Sequence, residues 1–118
     1  VYELASRRRN QPAPPRAVFD DLCDPRRQPV RPWLHLQDDE IAPSVVEAER
    51  PNLVVWSSIW VKRPDARVRF DLVAARGGTD LTWSLYVDDP PPDERFIKHM
   101  CQRIGEVVNA NLRYTYGH

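Results

Sequence analysis

Histidines, cysteines and clustered carboxylates are the residue types most able to do chemistry, and in this chain they are few and scattered. The histidines are His35, His99 and His118, and none stands beside a serine or cysteine. A nucleophile and its base must come within hydrogen-bonding reach. His99 and Cys101 lie two apart on a helical stretch, so their side chains diverge. No catalytic residue is assigned on this basis, and an enzyme is the least favoured of the functional readings. Asp38-Asp39-Glu40 is a charge run without ligand spacing, and neither HxxxH nor CxxC occurs, so no metal and no cofactor is expected. Gly77-Gly78 links two strand-like runs and opens no helix, which makes it a hairpin turn and not a phosphate cradle. Asn109, Asn111, Arg113, Tyr114 and Tyr116 close the chain and read as helix-end groups; Arg113 there suits the helix dipole.

The 118 residues have a hydrophobic fraction of 42% and a charged fraction of 29%, ordinary for one globular domain spanning 1–118. Seventeen basic and seventeen acidic residues cancel, so the overall positive field that nucleic acid or an anionic membrane would need is missing. The charge is uneven: residues 1–32 hold seven Arg against four acids, and residues 33–61 hold five acids against Arg50 alone. Arg7-Arg8-Arg9 reads as a solvated strand end. Cys23 and Cys101 make no disulfide framework, and no apolar stretch approaches the length of a membrane span or a signal peptide. A cytoplasmic protein with reduced thiols is expected. The sequence starts at Val1 without Met, which leaves room for a short leader.

The elements that must position any site follow from periodicity and punctuation. Residues 1–7 read as a first strand with Tyr2 and Leu4 on one face. Pro12-Ala13-Pro14-Pro15 leads into a short helix over 16–23, with Val18, Phe19 and Leu22 as its apolar stripe and Asp24-Pro25 as its stop. Residues 25–37 fit a second short helix or an irregular arm anchored by Trp33, Leu34 and Leu36. Strand-like runs follow at 40–49, 53–61, 66–74 and 79–88, with turn signals between them, which predicts an antiparallel meander. Val68, Phe70 and Leu72 alternate with Arg67, Arg69 and Asp71, and Leu81, Trp83, Leu85 and Val87 with Asp80, Thr82, Ser84 and Tyr86. A loop over 75–78 sets Leu72 opposite Leu81 and Phe70 opposite Trp83. Asp93-Glu94 then opens a helix in which Phe96, Ile97, Met100, Ile104, Val107, Val108 and Leu112 recur at helical spacing, with Gly117 beyond its stop.

Three local features carry a family resemblance: Pro12-Ala13-Pro14-Pro15 with Val18-Phe19, Leu22 and Asp24-Pro25; Gly77-Gly78-Thr79 with Leu81; and the long amphipathic C-terminal helix. In this order they resemble the polyketide cyclase/dehydrase and lipid-transport (START-like, SRPBCC) superfamily, in a short variant. The resemblance implies an α+β helix-grip fold, a curved antiparallel sheet wrapped on a long C-terminal helix. It implies a hydrophobic or aromatic ligand, lipid or polyketide-like, between sheet and helix. On that placement the ligand-binding candidates are Phe70 and Trp83 on the sheet, Met100 and Ile104 on the helix, and Trp33 at the mouth. Ser57 is the one plain polar candidate on the inner face, which is little for a cyclase or aromatase. One hairpin fewer than is usual leaves two alternatives open, a pocket among these residues or a core they simply fill. Trp56 and Trp60 lie four apart; an even loop to the next strand puts them on the outer face beside Arg67, Arg69 and Tyr86, and an odd loop puts them inside. The outer face is the expectation, and with it a homodimer interface, the second functional reading.

Overall fold

The computed structural model describes residues 1–25 and 33–116. Five strands form one antiparallel sheet: β1 (Tyr2–Gln11), β2 (Val45–Glu49), β3 (Leu53–Ser57), β4 (Arg67–Ala75) and β5 (Gly78–Val87), in the spatial order β1-β5-β4-β3-β2. The helix α1 (Pro15–Cys23) follows β1. The chain ends in a continuous helical stretch: α2 (Glu94–Glu106), a π-helical turn (Val107–Leu112) and α3 (Arg113–Thr115). Of the expectations for 25–37, Arg26 to Pro32 lie outside the described residues, as do Gly117 and His118; residues 33–37 are irregular.

The β4–β5 hairpin has the register its alternation predicts, with Leu72 opposite Leu81 and Phe70 opposite Trp83. Gly77 and Gly78 both have positive φ, 82° and 154°, which glycine alone adopts without a Cβ penalty. The inner face of this hairpin meets Val18, Phe19 and Leu22 of α1 and Met100, Ile104, Val107, Val108 and Leu112 of the C-terminal helix in one apolar cluster. Asp93 caps α2 through its carboxylate, which accepts from the Phe96 N–H at 2.8 Å.

Three boundaries differ from expectation, each for a local reason. β1 runs on past Arg7 to Gln11, paired along β5 as far as Thr79, because backbone pairing does not need apolar side chains at an edge. The run 40–49 forms a strand only from Val45; Glu40 makes an isolated bridge to Trp60. The run 53–61 stops at Ser57, because Ser58 Oγ turns back on the chain, accepting from Trp60 N–H at 2.9 Å and donating to Trp60 C=O at 3.1 Å.

That break overturns the expected outer-face tryptophans. Ser57 pairs with Arg67, so the loop covers residues 58–66, an odd number, and Trp56 pairs with inward-facing Val68. Trp56 is 0% and Trp60 1% exposed; neither is available to a homodimer interface. Trp56 meets Phe70 edge-on at 4.7 Å and stacks on Trp33 at 6.0 Å. Ser57 is therefore on the outer face, where its Oγ accepts from the Ser44 N–H at 2.8 Å. It is not the inner polar group that a cyclase reading needed.

Candidate functional site

Trp33, expected at the mouth, is nearly buried. Its indole N–H donates to Asp21 C=O at 3.0 Å, and that of Trp56 donates to Leu22 C=O at 2.7 Å. These are carbonyls of the last turn of α1, which have no partner within the helix. Trp56 thus ties α1 to β3, and Trp33, stacked on it, ties the irregular segment 33–37 to α1.

Phe70, Met100 and Ile104 come together, and each is 0% exposed. A side chain bordering a void wide enough for water would show accessible surface, so in this structure these three fill the core. Trp83 is different. It is nearly buried, its Nε1 has no hydrogen-bond partner, and it borders an open trough of about 300 Å3. The trough runs between β1 and the C-terminal helix and is lined by Arg7, Arg9, Trp83, Lys98, Cys101, Gln102, Gly105 and Asn109.

The helix wall follows from spacing. Positions 98, 101, 102, 105 and 109 share one helix face, beside the buried stripe of Met100, Ile104 and Val108. Gly105 widens the trough: a Cβ there would meet only Asn109 Nδ2, at 4.0 Å. Cys101 is half-buried, and burial pushes its thiol above the ordinary value while the Arg7 cation pulls the other way. The opposing wall is the inner face of β1. Arg7 sits opposite Trp83 and Arg9 opposite Leu81, which puts both arginines on the side where β4 and β5 place apolar residues. Arg7, Arg8 and Arg9 are solvent-exposed, as the reading of a solvated strand end expects, but that reading did not show which way Arg7 and Arg9 face. The signal was the alternation Ala5, Arg7, Arg9, Gln11, legible only once β1 is extended.

A second polar cluster lies under α2. Arg103 is buried and grips Glu40 with two hydrogen bonds of 2.7 Å, while also donating to His35 C=O at 3.0 Å and Glu106 at 2.9 Å. Burial alone would raise the Glu40 carboxyl; the Arg103 guanidinium and the Gln37 N–H outweigh it and hold the pKa below the ordinary value. Asp39, Glu40 and His99 bring ligand-type atoms within 4.8 Å of one another. Glu40 is already committed to Arg103, whose cation opposes a second positive charge there. Sequence spacing could not have found this group, since Glu40 and Arg103 are 63 residues apart. Elsewhere Asp65 accepts from the Arg63 guanidinium and from the Asp88 and Asp89 N–H groups, and its carboxyl is held far below the usual range. That clamp ties the β3–β4 loop to the end of β5.

No helix of the described residues is long and apolar enough to cross a membrane. No family model matches the sequence, and no curated protein matches it. Solved structures do match by shape. CalU16 from Micromonospora echinospora superposes with a TM-score of 0.69 at 18% identity, over 94% of this chain and 72% of that one. The solution structure of the Aha1 dimer from Colwellia psychrerythraea gives 0.69 at 12% identity, over 93% and 92%. An HSP90 activator from Plasmodium falciparum gives 0.60 at 13%, over 92% and 89%. At these identities the likeness is one of fold, and the fold is helix-grip, α+β, with an open five-stranded antiparallel sheet and a 22-residue C-terminal helix.

Proposed function

We propose that the protein binds a small, largely apolar molecule in the trough between β1 and the C-terminal helix. The observation that carries this is the trough itself: about 300 Å3, with the Trp83 ring at its floor and a side-chain-free position, Gly105, in its wall. That volume is at the small end for ligand sites, so one or two rings or a short acyl chain would fill it. Glycine inside a helix costs about 0.5–1 kcal/mol relative to alanine, and no backbone contact requires it at 105. The missing side chain leaves room for a ligand at this wall.

Of the residues the family resemblance suggests, Trp83 meets the ligand, and Phe70, Met100 and Ile104 form the packed core beside it. Gly105→Leu should fill the trough while favouring the helix. Calorimetric titration with naphthaleneethanol, a neutral two-ring probe, is expected to show binding to the parent and a loss of about ten-fold or more in the variant. Equal affinity for both proteins would remove the trough as the binding site.

A second reading is a homodimer through the β2 edge. β2 is the terminal strand of the sheet, and Ile41, Val45 and Val46 around it are 51%, 39% and 51% exposed. Among the described residues no strand pairs with the outer edge of β2; its apolar start at Val45 and Val46, ahead of Glu47 and Glu49, leaves backbone groups open to strand pairing, and one of the similar structures is of a dimer. Light scattering is expected to show mass rising toward the dimer with concentration, and to fall back on Val46→Lys. A monomer at every concentration removes this reading.

A further inference from the structure

We infer that the trough selects an anionic amphiphile: an aromatic or short acyl molecule whose carboxylate is held by Arg7 and Arg9, with Lys98 on the opposite wall. The inference rests on the trough being a ligand site and adds the chemistry of what enters it. Among the described residues the lining carries three cations and no carboxylate, in a chain whose total charge is zero. The positive charge is thus a local arrangement and not a background. None of Arg7, Arg9 and Lys98 forms an ion pair with a described residue. Each arginine uses one N–H on the carbonyl just before it, Ser6 C=O at 2.8 Å and Arg8 C=O at 2.9 Å. A guanidinium has five N–H donors, so most of both forks remain for a ligand.

Position sharpens the point. The β5 partners of Arg7 and Arg9 are Trp83 and Leu81, both buried. The two arginines therefore stand on the core-facing side at the sheet edge, where the apolar floor ends and solvent begins. A ligand lying along Trp83 would direct its polar end toward them. Arginine binds carboxylates in a bidentate fork, stronger than a neutral hydrogen bond. The competing account is that inward-pointing charges on an edge strand merely prevent edge-to-edge pairing; that account requires no anion preference.

The test uses two probes of the same shape, naphthaleneacetate and the neutral naphthaleneethanol, titrated calorimetrically into the intact protein at low ionic strength. The acetate is expected to bind about ten-fold tighter or better. Arg7→Gln with Arg9→Gln should erase that advantage, so that the variant binds the two probes equally, and Lys98→Gln should reduce it. Added salt should narrow the gap for the parent and not for the double variant. Equal affinities of the parent for the two probes would overturn the anion inference while leaving apolar binding in the trough intact, and would make the arginines edge guards. Failure of both probes to bind would overturn the inference together with the binding reading. Both arginines are exposed, so the variants are expected to fold; a lost advantage counts only with an unchanged thermal transition, and single Arg9→Gln provides the milder variant.

Discussion

Gly78→Ala is expected to destabilise the protein by about 3 kcal/mol or more, enough to threaten a fold whose total stability is of order 5–15 kcal/mol. A Cβ at position 78 would collide with the backbone carbonyl oxygen of Gln11 and lie 3.0 Å from Ala13 N. Both obstacles are main chain, so no side chain can rotate away. The φ of 154° adds a conformation that residues with side chains rarely adopt. Relief would require the end of β1 to pull off β5, where Gln11 pairs with Thr79 and Thr79 Oγ1 donates to Ala13 C=O at 2.7 Å. The neighbouring glycine is the control. Gly77 has φ 82° and nothing within 4 Å of an added Cβ, so Gly77→Ala should cost only the left-handed penalty of about 1–2 kcal/mol. Urea unfolding of both variants checks this, and a Gly78→Ala cost no greater than that of Gly77→Ala would contradict it.

Glu40→Gln should cost about 3 kcal/mol, because it removes the charge partner of a buried guanidinium. The Glu40 side chain is 0% and the Arg103 side chain 5% exposed, and their two hydrogen bonds are the shortest Arg103 makes. Glu106 and His35 C=O remain as partners, which is why the loss is placed at the lower end for a broken buried pair. Replacing both partners, Glu40→Leu with Arg103→Met, should cost less than Glu40→Gln alone, since no uncompensated charge is then left inside. The pair also has a pH signature. The folded pKa of Glu40 lies below its ordinary value, so its stabilisation is complete above the unfolded pKa and is lost as pH falls through the folded one. The stability gap between parent and Glu40→Gln should therefore shrink on acidification. A gap that stays constant into strong acid would mean that the charge pair is not what holds Glu40 in place.

How much of this was legible in the sequence depended on whether neighbours in the chain are neighbours in space. The β4–β5 register could be read because a tight Arg76-Gly77 turn joins two clean alternations, leaving no freedom between Phe70 and Trp83. The long helix was equally plain from Met100, Ile104 and Leu112. Trp56 and Trp60 were misplaced because facing depends on the parity of a loop and on Ser58 breaking the strand, and neither has a sequence period. The Glu40–Arg103 pair was invisible for a related reason: Glu40 looked like part of an acidic charge run, and its partner lies 63 residues away with no period linking the two. The trough was half legible. Trp83 stood out by type, whereas Arg7 and Arg9 look like surface charge until pairing with Trp83 and Leu81 shows which way they face.

The most direct test of ligand binding in the trough is a titration of isotopically labelled protein with naphthaleneethanol, followed by amide and indole NMR shifts. The account predicts that the largest changes fall on the Trp83 indole N–H and on the amides of Cys101, Gln102 and Gly105, with Arg7 and Arg9 across from them. Shifts centred instead on Ile41, Val45 and Val46, or no saturable shifts at all, would contradict it.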